Sequence, residues 1–160
     1  MKQNQLDPID LRILNELTVD ARIPYSQLAK KLKISNTLVH QRLKKLTNNG
    51  IIDKAQYLVN PWKLGFQTSA YTQIMLHDSK TLSKVERKLS RIKEIVECVN
   101  ISGRYALMVK IYARNNRHLR DIIYEQIHTI DEIDGTNTTI SFETAFSRNV
   151  PLDLEPGDEE

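Results

Sequence analysis

Apolar side chains recur at helical spacing near the start of the chain. Ile9, Ile13 and Leu17 follow one another at intervals of four residues, which predicts an amphipathic helix that ends near residue 19. Asp7 suits the N-cap of this helix, and Pro8 suits its first helical position. The segment is therefore predicted to be a capped helix with one apolar face.

Two shorter helical patterns follow after Pro24. The first covers about residues 26–32, and the second begins after Ser35 and ends before Gly50. Because a turn of only about three to four residues separates them, the two helices match a helix-turn-helix. Their inward positions are Leu28, Ala29 and Leu32 in the first helix and Val39, Leu43 and Leu46 in the second.

The outward face of the third predicted helix carries amides, a hydroxyl, an imidazole and cations. It lacks the glutamates that usually pair with lysine on a solvated helix. Amides and hydroxyls near the N-terminal end can hydrogen-bond base edges, and cations further along can meet phosphates. The pattern therefore favours entry of this helix into the major groove of double-stranded DNA. The outward positions are Asn36, Thr37, His40, Gln41, Lys44 and Lys45.

Residues 51–59 are predicted to fold back as a two-stranded wing, with Lys54 and Gln56 as contacts to the DNA backbone. This wing would complete a winged helix-turn-helix domain over residues 1–60. The full set of predicted DNA contacts is Ser26, Gln27, Ser35, Asn36, Thr37, His40, Gln41, Arg42, Lys44, Lys45, Lys54 and Gln56.

Strand and helix patterns alternate over the rest of the chain. Residues 61–67 read as a connector, and a second domain is predicted over residues 68–150. The order βαββαβ is the ferredoxin-like split unit, a four-stranded antiparallel sheet with both helices on one face. The whole chain is thus predicted to be an α+β protein. Strands are expected at residues 68–76, 95–102, 105–113 and 135–144, and helices at residues 81–91 and 117–127.

A sheet covered by helices on one face leaves its other face to be explained. Tyr71, Met75, Met108 and Tyr112 are the large side chains predicted on that open face. Exposed apolar groups of this size form an association patch, and a helix-turn-helix dimer can read two half-sites in register. We therefore predict a symmetric homodimer through the second domain. The alternative is a monomer in which this face is covered.

The charge is divided unevenly along the chain. The net charge of +3 is too small to indicate a nucleic-acid partner. Residues 1–60, however, hold ten Lys and Arg against five Asp and Glu, while residues 61–160 hold thirteen against fifteen. Between Asp20 and Asp53 the chain has seven basic residues and no acid. A solvated helix face is one explanation, and a surface that meets a polyanion is the other.

Composition excludes several classes of protein. With 40% apolar and 27% charged residues, the chain is typical of a folded soluble protein. No apolar run reaches the roughly 20 residues that cross a bilayer, and the polar N-terminal segment lacks the apolar core of a secretory signal. Cys98 is the only cysteine, so an intrachain disulfide is impossible and a reducing cytosol is expected. We expect Cys98 to be buried in a strand, and residues 151–160 to form a frayed acidic tail.

The sequence shows no arrangement of residues that is typical of a catalytic site. The four histidines are scattered, without the i, i+4 spacing of a helical metal site, and there is no glycine-rich phosphate loop. We therefore predict that the protein is not an enzyme and that it needs no metal and no cofactor.

Short motifs along residues 5–150 resemble the Lrp/AsnC family of bacterial and archaeal transcription regulators, the feast/famine proteins, in its AsnC-like branch. Their order and spacing together are more specific than any one of them. The matching pieces are Leu6-Asp7-x-x-Asp10-x-x-Ile13-Leu14, Asp20-Ala21-Arg22, Leu28-Ala29, Ile34-Ser35 through Arg42 to Leu46, Asn49-Gly50-Ile51-Ile52, Pro61, Leu64-Gly65, Ser102-Gly103-x-Tyr105 and Ile127-x-Thr129-Ile130-Asp131-Glu132-Ile133.

The resemblance implies that the second domain is a RAM domain, which senses small molecules, usually amino acids. It implies dimers that assemble further, commonly to octamers, with the effector between RAM domains of neighbouring subunits. The turn after the second RAM strand would offer backbone donors to the carboxylate of the effector, and glycine there permits close approach. In this sequence that turn is Ser102, Gly103, Arg104, Tyr105 and Ala106.

One position departs from the family pattern. Many members carry Asp where Ala106 stands, and that carboxylate can hold the ammonium group of a ligand. Another group could take its role, the ligand could differ, or the response could be lost. His128, Thr136 and Thr138 could also line such a site. They could equally be an ordinary helix end and ordinary strand residues.

The sequence thus predicts a cytoplasmic, nucleoid-associated, sequence-specific DNA-binding transcription regulator with an amino-acid effector. The first alternative is an effector-independent architectural protein that wraps DNA. The second is a metabolic regulatory protein that binds amino acids through the ferredoxin-like half, and the acid-free stretch argues against it.

Overall fold

The computed structural model describes residues 6–152. Within that range the chain divides into two compact units. One contains the described residues up to Leu58 and those from Ser147 onward, and the other is Val59–Phe146. The second unit thus ends at Phe146, before the predicted residue 150, because Leu152 packs against the apolar cluster of the first unit. Most of the predicted acidic tail, from residue 153, lies outside the described residues.

Three helices form the first unit, where the sequence predicts them. They are α1, Pro8–Val19; α2, Tyr25–Leu32; and α3, Asn36–Asn48. Lys33 links α2 to α3 in the left-handed region, with φ of 56°, which makes the turn tight. The predicted inward positions of all three helices meet in one buried cluster. Its members are Ile13, Leu14, Leu28, Ala29, Leu32, Val39, Leu43 and Leu46.

Side-chain caps begin two of these helices. Asp7 accepts a hydrogen bond from the Asp10 N–H at 2.9 Å, and the Asp10 carboxylate accepts from the Asp7 N–H at 3.4 Å, which together form a capping box. Ser35 caps α3 by accepting from the Leu38 N–H at 3.1 Å. Both caps satisfy N–H groups that have no partner inside the helix.

The predicted two-stranded wing is absent: residues 51–59 form no strand. Ile51 and Ile52 instead donate to the Leu46 carbonyl and pack against the cluster of the first unit. The residues after them are exposed and have no neighbouring strand with which to form a ladder. A strand needs such a partner, and the described residues of one chain do not provide it.

The second unit has the predicted order βαββαβ. Its sheet is antiparallel with strand order β2-β3-β1-β4, which is the ferredoxin-like arrangement. The strands are β1, Thr68–Leu76; β2, Ile95–Asn100; β3, Leu107–Ala113; and β4, Ile133–Ser141. The helices are α4, Leu82–Leu89, after a 3-10 turn at Ser79–Thr81, and α5, Asn116–Asp121, which continues as a π-helix over Ile122–Ile127.

The π-helix replaces the second half of a helix predicted to be regular. Its i→i+5 hydrogen bonds widen the turn, and the series ends with His128 N–H donating to the Ile123 carbonyl at 2.8 Å. Residues five apart then share a side, and Ile122 and Ile127 are both fully buried. The wider turn thus places both isoleucines in the core.

One face of the sheet is buried under the helices. Alternate residues of β1 and β3 enter this core, as the pattern of apolar residues predicts. Tyr71, Met75, Met108 and Tyr112 lie half-buried on the other face. The expectation that Cys98 is buried is wrong, because its side chain is exposed on β2, an edge strand. The buried core residues are Ala70, Ile74, Val85, Leu89, Ile92, Leu107, Val109, Ile111, Ala113, Leu119, Ile122, Ile127 and Ile130.

Candidate DNA-reading and effector sites

The exposed face of α3 is the candidate DNA-reading surface. Every position that the sequence places outward on this helix is exposed, and α3 contains no acidic residue. Thr37, Gln41 and Lys44 lie opposite the buried stripe of Val39 and Leu46, since each residue advances the helix by roughly 100°. The helix therefore presents a hydroxyl, an amide and a cation along its centre line.

Three of the predicted DNA contacts make hydrogen bonds or ion pairs within the domain. Ser35 caps α3 with its side-chain oxygen. Arg42 pairs with Asp7, and its guanidinium nitrogen lies 3.2 Å from Oδ1 of Asp10. The Lys45 Nζ lies 3.3 Å from Oδ2 of Asp10. These ion pairs direct Arg42 and Lys45 toward α1.

Ion pairing and hydrogen bonding change the pKa of the Asp7 carboxylate. Desolvation raises the pKa of Asp7, but hydrogen bonds from the Asp10 backbone and from Arg42 outweigh it and hold the pKa below its ordinary value. Asp7 therefore remains a carboxylate well below neutral pH. Arg42 thus keeps its ion pair with Asp7 over the physiological range.

Helix α2 contributes an aromatic contact to the other flank of α3. Tyr25 meets His40 edge to face, with ring centroids 4.8 Å apart. Ser26 and Gln27, both predicted DNA contacts, are exposed in the first turn of α2. The sequence pattern missed the Tyr25 contact because it treats each helix separately. An aromatic side chain at the first helical position after Pro24 is the signal that was present.

Lys54 and Gln56 lie on the exposed segment that stands where the wing was predicted. This segment is anchored by Tyr57, because the Arg22 guanidinium carbon lies 4.2 Å from the centre of the Tyr57 ring. The contact holds the segment against the turn between α1 and α2 without a β-ladder. Lys54 and Gln56 remain accessible to a partner.

The predicted effector turn joins β2 to β3. Gly103 has φ of 105°, in the region that side chains other than glycine rarely adopt. The turn is closed by the Ile101 N–H, which donates to the Ala106 carbonyl at 3.0 Å, and by the Ala106 N–H, which donates to the Ile74 carbonyl at 2.9 Å. Ser102, Gly103 and Arg104 project into solvent. Tyr105 and Ala106 are half-buried, and the Arg104 guanidinium carbon lies 5.9 Å from the Tyr105 ring centre.

Two further predicted effector residues contact each other directly. His128 Nε2 and Thr136 Oγ1 are 2.8 Å apart, and the Tyr124 ring meets the His128 ring at 5.1 Å. The third residue, Thr138, shares a hydrogen bond of 2.9 Å with the buried Thr72. Each of the three thus has a structural partner.

The register of the sheet brings the turn and the His128–Thr136 pair to the same end of the second unit. Ile74 of β1 pairs with Leu107 of β3 on one side and with Thr136 of β4 on the other. Two strand spacings, about 10 Å, separate the flanking strands. A polar cleft formed by Gln67 and Thr68 lies at the opposite end of β1.

Two further observations limit the chemistry of the molecule. Among the described residues, no group of three His, Cys, Asp or Glu side chains could hold a metal ion. No helix in that part of the chain is long and apolar enough to cross a membrane.

Comparison with known proteins agrees with both units. A family model described as winged helix-turn-helix DNA-binding matches residues 6–53, and the Lrp/AsnC ligand binding domain matches residues 69–151. The regulatory protein AsnC of Haemophilus influenzae is 32% identical over 92% of this chain and 98% of its own length. The HTH-type transcriptional regulator FL11 of Pyrococcus furiosus is 33% identical over 84% of this chain and 88% of its own.

Solved structures share the fold. AsnC of Escherichia coli superposes with a TM-score of 0.85 and 31% identity, covering 91% of this chain and 98% of that one. The feast or famine regulatory protein of M. tuberculosis, in complex with L-methionine, gives a TM-score of 0.84 at 25% identity, covering 92% and 99%.

A helix-turn-helix unit with an exposed, acid-free third helix, joined to a ligand-binding domain, defines a DNA-binding transcription regulator. The chain belongs to the Lrp/AsnC family of regulators. The predictions of family, α+β fold class and regulatory function are confirmed.

Proposed function

We propose that the protein recognises a specific DNA sequence through the outward face of α3 and that a small effector modulates this recognition. The observation that carries the proposal is the exposed α3 surface, which bears amides and cations and no acid. Residues near the start of the helix would read base edges, and Lys44 and Lys54 would meet phosphates. Ser26, Gln27 and Gln56 would contact the DNA backbone.

The test compares two neighbouring residues of α3. A preferred operator is first selected from random DNA with the wild-type protein. Gln41→Ala should relax base preference within that operator, because its amide would pair with a base edge. Lys44→Ala should weaken all sequences alike and lower the magnitude of the salt slope by about one, because its ammonium would meet a phosphate.

The two variants serve as each other's control, since both truncate an exposed α3 side chain. Equal loss of affinity for the operator and for unrelated DNA in Gln41→Ala would show that the groove assignment is wrong. A wild-type protein without salt-dependent affinity for DNA would instead favour the metabolic regulatory protein over a DNA-binding one.

For the effector, the supporting observation is the open turn at Gly103, at the same end of the second unit as the His128–Thr136 pair. The M. tuberculosis relative is described in complex with L-methionine, which supports an amino acid as the ligand class here. Backbone N–H groups at Ser102, Gly103 and Arg104 would receive its carboxylate. Tyr105, Ala106, His128, Thr136 and Thr138 would line the remainder of the site.

An architectural, effector-independent DNA-wrapping protein is the second candidate. Ala106 favours it, because a methyl group at this position cannot bind an ammonium ion. Titration of operator binding and oligomer size with each amino acid separates the two functions. A response to any amino acid, lost in a Gly103→Val variant that strains the turn, supports sensing, and no response to any supports wrapping.

Assembly would use the open face of the sheet. Half-buried Tyr71, Met75, Met108 and Tyr112 lie there, and Lys110 Nζ lies 5.4 Å from the centres of both tyrosine rings. Pairing of this face in two copies would create a homodimer with two α3 helices. Further association to an octamer would bring effector turns of neighbouring subunits together.

An effector that prefers one assembly would change the spacing of the α3 helices and thereby operator affinity. We place this activity on chromosomal DNA in the cytoplasm of a bacterium or archaeon, without catalysis, metal or membrane contact.

A further inference from the structure

Asp10 is a fully buried carboxylate in a domain that meets a polyanion. Its position on α1, three residues before Ile13, lies on the inward stripe of that helix. Both oxygens are engaged: Oδ1 with Arg42 at 3.2 Å and Oδ2 with Lys45 at 3.3 Å. A buried charge is costly unless it is paired and hydrogen-bonded. The pairing of Asp10 with Arg42 and Lys45 is therefore what offsets the cost of burying its charge.

Both of those cations belong to α3 and lie three residues apart on the flank that faces α1. Asp7, which shares a capping box with Asp10, also pairs with Arg42. On the opposite flank, Tyr25 of α2 contacts His40 edge to face. The third helix is thus held on both sides of its outward face. Rotation of α3 about its axis would break contacts on one flank or the other.

We propose that Asp10, together with Asp7, is a positioning residue for DNA recognition. The two carboxylates set the rotation of α3 about its axis, and they hold Arg42 and Lys45 away from indiscriminate phosphate contact. Gln41 and its neighbours then meet base edges in a single register. This inference rests on the proposed role of α3, and it assigns Arg42 to the positioning of α3 in place of the DNA contact predicted from the sequence.

Loss of the Asp10 charge should change DNA binding in a way that a loss of stability alone would not. Neutralising Asp10 releases two cations on a surface close to DNA. Binding to unrelated DNA should therefore become tighter and more salt-dependent, because more phosphates are neutralised. Operator binding should not gain to the same extent, since α3 is less well oriented. A variant that is merely less stable would bind both DNAs more weakly.

The experiment uses Asp10→Asn in the full chain, with Glu16→Gln as the matched control. Glu16 is also a carboxylate on α1, and it pairs with Lys31 of α2 instead of α3. Operator and unrelated duplexes are titrated over a range of salt, and circular dichroism verifies folding. We expect the ratio of operator to unrelated affinity to fall about tenfold, comparable to one mismatched base pair. The salt slope should steepen by about one to two, and Glu16→Gln should match wild type.

Arg42→Gln provides a second variant if Asp10→Asn does not fold. It should lower discrimination and leave the salt slope unchanged, because Arg42 does not meet a phosphate. Unaltered discrimination with a salt slope reduced by about one would make Arg42 an ordinary phosphate contact and overturn the proposal. Wild-type discrimination and slope in Asp10→Asn would overturn it as well. A wild-type protein without sequence preference would overturn the proposed role of α3, and that of Asp10 with it.

Discussion

Two lysines of α4 converge on the carboxylate of Glu132, which precedes β4. Lys84 Nζ lies 2.5 Å from Oε1 and Lys88 Nζ lies 2.7 Å from Oε2. The backbone carbonyl of Glu132 also accepts from the His77 N–H at 3.1 Å, at the end of β1. A single residue thereby links one helix to the start of the edge strand. Its ionisation is consequently coupled to the folding of the second unit.

Hydrogen bonds from Lys84 and Lys88 lower the pKa of Glu132 from 4.5 to about 2 in the folded protein. A depressed folded pKa contributes stability that is present above the unfolded pKa and lost as pH falls through the folded value. Glu132→Gln should therefore be less stable than wild type at pH 7. The difference should shrink as pH falls from 4.5 toward 2. Urea midpoints measured across that range provide the comparison.

Glu125 supplies the control, because it is an exposed glutamate on the π-helix, outside the contacts of Glu132 with Lys84 and Lys88. Glu125→Gln should follow the wild-type midpoint at every pH. A gap between Glu132→Gln and wild type that stays constant down to pH 2 would mean that packing, and not ionisation, makes Glu132 stabilising.

Helix α3 combines a structural role with the role in DNA recognition that we propose for it. Its cap, its buried stripe and its outward face are all supplied by a short stretch that begins at Ser35. Ser35 was predicted from sequence as a DNA contact, and in the structure its oxygen also caps the helix by accepting from the Leu38 N–H. These two roles can be separated by substitution.

Ser35→Ala should lower the free energy of unfolding by about 1 kcal/mol, the usual value for a lost helix cap. Ser35→Asp should retain the cap and the stability, but it should weaken DNA binding, because a carboxylate would then stand near phosphates. Chemical denaturation and DNA titration of the same samples measure the two effects. Ser26→Ala, in the uncapped first turn of α2, should change the free energy of unfolding by less than about 0.5 kcal/mol.

The helices and strands were largely predictable because each has a local signal. Apolar periodicity located α1, α2 and α3, and alternation located β1, for which the predicted and observed bounds coincide. The π-helix was not predictable, since i→i+4 and i→i+5 hydrogen bonding leave nearly the same short apolar pattern. The prediction of the wing was wrong for a different reason: residues 51–59 have no partner strand among the described residues.

The candidate site was less predictable than the fold. Exposure of the α3 face follows from its buried stripe, but the direction of Arg42 depends on Asp7 and Asp10, more than thirty residues earlier in the chain. A signal did exist, because an acid on the inward stripe of α1 implies a buried cationic partner. Which cation serves as that partner could not be predicted without knowing how α1 packs against α3.

On the scale of the whole molecule, the proposed homodimer would set how many α3 helices meet one operator. Met108 lies half-buried near the middle of the open sheet face, opposite Gln73 of β1 and Val99 of β2. If two copies pair through this face, each Met108 becomes part of an apolar interface from which charge is excluded. The oligomeric state should therefore be sensitive to a carboxylate at this position.

Met108→Glu should convert the assembled protein to smaller species and weaken operator binding, because two linked half-sites bind more tightly than one. Size-exclusion chromatography with light scattering measures the first effect, and DNA titration measures the second. Val19→Glu places the same charge at an exposed apolar residue at the end of α1 and should leave assembly unchanged. An unaltered mass for Met108→Glu would exclude this face as the interface.

Cys98 is a single site at which the chain can be chemically labelled. It is the only thiol in the chain and is exposed on the edge strand β2. Desolvation by neighbouring side chains and the nearby Glu86 raise the pKa of the thiol, so attachment of a nitroxide will be faster at mildly alkaline pH. Pulsed electron resonance on the singly labelled protein would then report the distances between copies. The same spectra, recorded with each amino acid and with DNA, would follow assembly without any engineered cysteine.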